Sequence, residues 1–168
     1  MEEQSGKILI CHATKRLQMA LQVYFDAAQL HTGALDLTLA RFGLAVAIFE
    51  GNRPCDVRPY RGEISMESSL RGARYEALKL AMRRTRAFCN TYMMKEPSPQ
   101  VIFRTTDRRL VEEVKGIRIP KDDKDRMRVE EICTSMGEHR GTWKISLTGH
   151  TPRMRAVHRT AGSVFESV

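Results

Sequence analysis

Three acidic residues stand at positions where the surrounding pattern favours an apolar side chain. Asp26 ends the apolar run "LQVYFDA", Asp107 ends the run "VIFRTTD", and Glu76 lies among the apolar residues of "RYEALKLAM". Carboxylates at the ends of adjacent strands, joined by one from a packed helix, would repel one another unless cations held them together. Hard oxygen ligands favour Mg²⁺ or Mn²⁺, and a paired metal site suits in-line phosphodiester cleavage.

Each of these acids also has a plainer explanation. Asp26 could cap a turn, and Glu76 could be a solvated helix residue. Asp107 could serve only as the N-cap of a helix over "RRLVEEV", where the helix dipole favours a carboxylate. The residues alone leave both sets of explanations open.

The spacing of apolar residues predicts the strands and helices that would position these acids. The runs "LQVYFDA", "RFGLAVAIFEGN" and "VRPYRGEIS" predict three strands joined by short loops, which favours an antiparallel meander. Helical spacing then extends from Met66 to about Met94, with an arginine-rich opposite face. A strand "QVIFRT", a helix "DRRLVEEVKGI", an exposed charged helix after Pro120 that ends at Gly137 or Gly141, and an alternating strand "TWKISLT" follow.

The last predicted helix opens with Thr151 as N-cap and Pro152 at the first helical position. Its apolar stripe contains His158. The other members of this stripe are Met154, Val157, Ala161, Val164 and Phe165. This order of elements predicts one α/β domain over residues 19–168. Residues 1–18, including the short run "KILIC", are expected to be a leader or connection.

The composition favours a polyanionic partner. The 168 residues carry 28 Lys+Arg against 20 Asp+Glu, a net charge of +8, and a basic surface of that size attracts nucleic acid first. The four cysteines are scattered without metal-binding spacing, which suits a reducing cytoplasm or nucleus. No apolar run has the length of a membrane span, and the acidic N-terminus lacks a secretory signal pattern.

Five segments together resemble the ribonuclease H family in order and spacing. "VYFDAA" resembles the family's first strand, "FGLAVAIFEGN" its glycine-containing second strand, and "RYEALKLAM" the helix that carries a catalytic glutamate. "FRTTDRRLVEEV" resembles the strand-to-helix junction with the next aspartate, and "WKISLTGH" with "RMRAVHRTAGSVF" resembles the closing strand, loop and helix. The resemblance covers roughly residues 20–166. It implies a mixed five-stranded sheet, an antiparallel meander followed by parallel strands, flanked by helices.

The resemblance also implies roles for individual residues. Asp26 would bridge two Mg²⁺ or Mn²⁺ ions, and Glu76 and Asp107 would complete one of the two sites. His150 matches the family's mobile histidine, which assists proton transfer or product release; an ordinary loop histidine is the alternative. His158 stands where the family has its fourth acid, so it would be a neutral nitrogen ligand, better suited to Mn²⁺ than to Mg²⁺, unless it is a core histidine.

The sequence departs from the family at three places. Ala27 and Ala28 replace a glycine and a serine, the loop after His150 is short, and His158 replaces the fourth acid. The favoured function is a metal-dependent endonuclease that hydrolyses the RNA strand of RNA–DNA hybrids. The alternative is a catalytically inactive relative that binds nucleic acid or a protein. A 3′–5′ exonuclease and an integrase are disfavoured because the acids do not follow their patterns.

A duplex partner would be held mainly through its phosphates and 2′-hydroxyls. The arginine-rich face of the long helix and the charged segment after Pro120 are the candidate contacts, although the second could be a solvated helix face. The protein is also expected to be part of a larger retroelement polyprotein. The candidate nucleic-acid-binding residues are Arg71, Arg74, Arg83, Arg84, Arg86, Lys121, Lys124, Arg126 and Arg128.

Overall fold

A computed structural model of the protein describes residues 20–30, 39–55, 60–92, 99–139 and 142–164. The expected leader over residues 1–18 and the run "KILIC" lie outside the described residues. In the part that is described, no helix combines the length and apolar character needed to cross a membrane.

The strands form one mixed sheet with β1 at its centre. β1 pairs antiparallel with β2 and parallel with β5, and β5 pairs parallel with β6. β3 and β4 both pair antiparallel with β2, on the side away from β1. The sheet therefore begins as an antiparallel meander and continues with parallel strands, as the sequence predicts. The strands are β1 (Leu21–Gln29), β2 (Ala40–Glu50), β3 (Arg53–Pro54), β4 (Tyr60–Glu67), β5 (Val101–Thr105) and β6 (Trp143–Leu147).

Four helices are described, and three of them begin at caps that the sequence supplies. Asp107 accepts a hydrogen bond from the amide of Leu110, and Asp122 accepts one from the amide of Lys124. Thr151 accepts from the amide of Met154, as predicted, since Ser, Thr and Asp side chains satisfy the free amides of a first turn. The helices are α1 (Leu70–Tyr92), α2 (Arg108–Val114), α3 (Asp123–Glu138) and α4 (Pro152–Gly162).

The alternation of β1 divides the core between the two faces of the sheet. Phe25 and its same-face neighbours pack in the cluster that includes Leu78 of α1 and Phe103 of β5. Tyr24 packs on the other face with α4, in the cluster that includes Met154 and Val157. Because side chains two residues apart share a face, Asp26 lies on the same face as Tyr24. The pleat thus turns one carboxylate of an otherwise buried strand toward α4.

Glycine at position 43 allows α4 to pack closely against β2. A Cβ on Gly43 would lie 1.7 Å from the carbonyl oxygen of Ala161. No side chain fits that distance, so the backbone of α4 reaches the sheet only where β2 has no side chain. This close approach fixes the position of α4 relative to Asp26 on the neighbouring strand.

Several predicted bounds differ from the structure. The long helix begins at Leu70 and not at Met66, because Met66 and Glu67 pair with β2. The predicted third strand "VRPYRGEIS" corresponds to β4, which extends to Glu67, with residues 56–59 outside the described part. The two-residue strand β3 precedes this segment and was not predicted. The charged helix α3 is not simply exposed, since Ile132 and Arg128 are buried. Gly137 does not end it, and Gly141 is not described.

Candidate functional site

Asp26 is a buried carboxylate with a partner for each oxygen. Its side chain is 7% exposed. One oxygen accepts a hydrogen bond of 2.8 Å from the amide of Ala27, and the other lies 2.9 Å from Nδ1 of His158 on α4. Because an ionised carboxylate can only accept, Nδ1 is the donor in this pair. The carboxylate of Asp26 on this buried strand is therefore stabilised by two hydrogen-bond donors, one for each oxygen.

Asp107 lies at the junction of β5 and α2 and has two functions. One oxygen caps α2 by accepting from the amide of Leu110 at 3.1 Å. The other accepts from Nη1 of Arg74 at 3.2 Å. The N-cap explanation is correct, and it coexists with a contact that faces Asp26.

Arg74 connects these two aspartates from α1. Its Nη1 contacts Asp107, and its Nε lies 3.6 Å from an oxygen of Asp26. Arg74 was expected on the outer face of the long helix, together with the other arginines. Its side chain is only 29% exposed, because it lies one turn before Leu78 on the buried stripe. The signal was available in the sequence, since residues four apart share a helix face.

The structure does not bring Glu76 to this group. Glu76 pairs with Nε of Arg128 at 3.3 Å and with Lys79 at 3.6 Å. Side chains two positions apart in an α-helix point in directions that differ by about 200° around its axis. When Arg74 faces Asp26 and Asp107, Glu76 must therefore face a different side, toward α3. The expectation that Glu76 converges with the two aspartates is thus corrected by the phase of the helix.

The two candidate histidines have different surroundings. His158 contacts Asp26, but 58% of its side chain is exposed. It lies at the edge of the α4 stripe, so the alternative of a buried core histidine is wrong. His150 is exposed in the loop that precedes α4, and its role stays a prediction.

These residues do not fit the pair of divalent metal ions that the resemblance implies. Among the described residues, no three His, Cys, Asp or Glu side chains form a group that could hold a metal ion. The guanidinium of Arg74 already lies between the two aspartates. A divalent ion about 4 Å from that guanidinium would be repelled by on the order of 8 kcal/mol, twice the value for unit charges at an effective dielectric of 20. His158, which stands where the resemblance implies a fourth acid, adds no carboxylate to the group.

Many of the basic residues expected to bind nucleic acid are paired within the protein. Arg71 contacts the buried Glu113, and Arg86 contacts Glu138. Arg128 is buried among Glu67, Glu76 and Asp125. Lys124 lies 3.9 Å from Glu67, and Arg126 contacts the exposed Asp123. Arg84 also has a partner. Arg83 and Lys121 are exposed and form no ion pair with a described residue.

Three arginines near the site residues in sequence have no ion pair with a described residue and were not among the predicted contacts. Arg108 follows Asp107 directly, and Arg155 and Arg159 flank His158 on the outer side of α4. All three are exposed, and none forms an ion pair within the described ranges. We call Arg108, Arg155 and Arg159 the basic rim. The sequence did show them as cations adjacent to candidate site residues.

The fold matches several solved structures. One is LC11-RNase H1, isolated from compost by a metagenomic approach, with a TM-score of 0.67 and 17% identity over 88% of this chain and 98% of that chain. The same enzyme in complex with an RNA/DNA hybrid matches with a TM-score of 0.66 and 17% identity, over 87% of this chain and 99% of that chain. RNase H1 of the halophilic archaeon Halobacterium salinarum gives 0.59 and 15%, over 89% and 99%.

The RNase H domain of PFV also matches, with a TM-score of 0.58 and 11% identity over 88% of this chain and 94% of that chain. No protein-family model and no curated protein sequence matches this chain. Identities of this size show the fold alone. The chain has the ribonuclease H fold, as the sequence resemblance implied.

Proposed function

We propose that this protein binds an RNA–DNA hybrid, or another nucleic-acid duplex, through its ribonuclease H fold. The observation that carries the proposal is the basic rim, three exposed arginines that form no ion pair with a described residue. They neighbour in sequence an acidic site that Arg74 partly neutralises. Asp26 and Asp107 contribute two negative charges, Arg74 one positive charge, and the rim three more. A duplex backbone that crosses this end of the sheet would therefore meet an attractive surface.

The fold similarity supports a duplex as the partner, since one similar structure is an RNase H1 in complex with an RNA/DNA hybrid. The similarity to the PFV RNase H domain supports the proposal that the chain belongs to a larger retroelement polyprotein.

The test is the salt dependence of hybrid affinity, measured by fluorescence anisotropy in EDTA. Replacing Arg108, Arg155 and Arg159 with Ala should weaken binding and reduce the slope of log K against log salt by up to about 2 to 3, since each lost phosphate contact removes about 0.7 to 0.9. A charge-matched control replaces three other exposed cations, Arg53, Lys115 and Arg118, with Ala.

The rim is the wrong surface if both triple variants change the slope equally. A slope that responds only to Arg83→Ala, Arg84→Ala and Arg86→Ala would move the contact to α1, as the sequence first suggested. No salt-dependent binding of any duplex would reject the proposal as a whole.

Hydrolysis of the RNA strand with Mg²⁺ or Mn²⁺ is the second candidate function. It is favoured by the placement of Asp26, Asp107 and His158 at one end of the sheet. This candidate requires a metal ion to displace Arg74 from both aspartates, so it competes with metal-free binding. Cutting of a labelled hybrid with either metal by the wild-type protein, and not by Asp26→Asn, would decide for hydrolysis. Equal cutting by both proteins would indicate a contaminating nuclease.

A further inference from the structure

The guanidinium of Arg74 lies between Asp26 and Asp107, within 3.6 Å of an oxygen of each. We propose that Arg74 is the resident cation of this site, so that Asp26 and Asp107 are held together by a side chain and not by a metal ion. The inference does not depend on duplex binding, since it concerns only the cation that balances the two carboxylates.

The contacts of Arg74 match what a shared cation must provide. Nη1 donates to Asp107 at 3.2 Å, and Nε faces Asp26 at 3.6 Å. That Nε is buried and has no hydrogen bond in the described structure, so the nearby carboxylate of Asp26 is its electrostatic partner. A guanidinium is always charged and presents its donors in a rigid plane, which allows one side chain to serve two carboxylates.

The surroundings of α1 keep Arg74 in this position. Tyr75 and Ala77, on either side of Glu76, are both fully buried, so the helix cannot rotate about its axis without breaking its packing. Glu76 itself is held by Arg128 and Lys79. A small movement of the helix therefore cannot bring the carboxylate of Glu76 to the place of the guanidinium. The positive charge of Arg74 stays at the site.

The consequence is a site that rejects divalent cations while it tolerates an anionic backbone nearby. A metal ion would have to displace the guanidinium from both aspartates and leave it without a partner. It would gain two carboxylates and one neutral nitrogen at most, a poor ligand set for Mg²⁺.

The central experiment compares Mn²⁺ binding by the wild-type chain and by Arg74→Glu, measured by the loss of the free Mn²⁺ signal in electron paramagnetic resonance. The substitution removes the cation and adds a carboxylate at the same place, so Mn²⁺ affinity should rise by about tenfold or more. Arg53→Glu on β3 makes the same change in net charge and serves as the control. Arg53 lies opposite Glu50 of β2, which in turn lies opposite Leu21 of β1. That point is five residues, about 17 Å, along β1 from Asp26, so this control should bind Mn²⁺ as the wild type does.

Two results would overturn the inference. One is that the wild type binds Mn²⁺ as tightly as Arg74→Glu does. The other is that the double variant Arg74→Glu, Asp26→Asn binds Mn²⁺ as tightly as Arg74→Glu alone, because the metal would then lie elsewhere. If Arg74→Glu does not fold, the wild-type chain still gives an answer by nuclear magnetic resonance. Mn²⁺ at concentrations up to about 1 mM should not selectively broaden the amide signals of Asp26, Asp107 and His158, because the site holds no metal. Selective broadening there would show that a metal enters despite Arg74.

Discussion

Arg128 should be a major source of stability, although it lies on a helix whose charges look like those of a solvated face. Its guanidinium contacts Glu67 at 2.6 Å, Asp125 at 3.1 Å and Glu76 at 3.3 Å, and its side chain is 8% exposed. It therefore joins α3 to both β4 and α1. Arg128→Ala would leave two carboxylates, each only 9% exposed, without their cation.

The size of the effect follows from what each acid retains. Breaking a buried ion pair by removing one partner costs about 3 to 5 kcal/mol. Lys124 lies 3.9 Å from Glu67 and offsets part of this cost, and Glu76 keeps Lys79. We therefore expect a loss near the lower end, about 3 kcal/mol. That is a large fraction of the roughly 5 to 15 kcal/mol that stabilises an ordinary domain.

The matched control is Arg126→Ala on the same helix. Arg126 is 53% exposed and its partner Asp123 is 90% exposed, so the loss should be about 1 kcal/mol or less. Urea unfolding at pH 7, followed by circular dichroism, measures both variants. Equal losses for the two arginines, or a loss below about 1 kcal/mol for Arg128→Ala, would refute the argument.

Gly72 offers an independent check on the same network. A Cβ at this position would lie 2.7 Å from Nη1 of Arg128, so Gly72→Ala must displace the guanidinium. The substitution should destabilise the wild type but add little in the Arg128→Ala background, since both changes disrupt one network. Additive losses would show that Gly72 acts through the helix backbone instead.

Three further outcomes are expected. Gly43→Ala should lower the melting temperature, at a cost of about 1 to 3 kcal/mol, because its Cβ would meet the carbonyl of Ala161; Gly137→Ala, with nothing within 4 Å, should raise it slightly. Burial lowers the pKa of His139 below the usual 6.5, so its neutral form favours the folded state: stability should be complete above pH 6.5 and decline as the pH falls below it, and His139→Gln should flatten this dependence. Burial raises the pKa of Cys55 to about 11, so iodoacetamide at pH 8 should label this thiol more slowly in the folded protein than in urea; equal rates would contradict this.

The elements with strong periodicity could be predicted from the sequence. β1, β2 and β6 carry uninterrupted or alternating apolar residues, and α4 has a cap, a proline and a clear stripe. The third strand was less predictable, because β4 has several exposed residues and its pattern does not distinguish it from the helix that follows. Its pairing with β2 determines where α1 begins, and pairing between distant segments is not visible in local spacing.

The candidate site was predictable where a residue's position is set by the end of a strand. Asp107 follows the end of β5 and was found for that reason. Asp26 was found as a charge in an apolar run, but the prediction that it ends the first strand is wrong, because β1 continues to Gln29. The residue that α1 contributes to the site was misassigned, because Glu76 was chosen by its chemical type. The angular position of a residue around the helix axis decides whether it faces the site, and Arg74 has that position. The apolar positions Ala73, Ala77, Leu78 and Ala81 already define the buried stripe, and Arg74 lies on it. An arginine on an apolar stripe requires an acidic partner, and this pattern would have indicated that Arg74 contacts an acid of the sheet.

The paired arginines also bear on how the net charge of +8 should be interpreted. Arg74 and Arg128 are matched to buried acids, as are Arg71 and Arg109 around the buried Glu113. Arg71 and Arg109 share one acid, but Arg74 contacts two acids and Arg128 three. These four arginines therefore contact six acids in all, so their internal pairing does not reduce the positive excess. The excess must therefore be carried by cations without acidic partners, and among the described residues the basic rim contributes three of these beside one site. Duplex affinity should consequently respond to the unpaired arginines, whereas substitution of the paired ones should affect stability first.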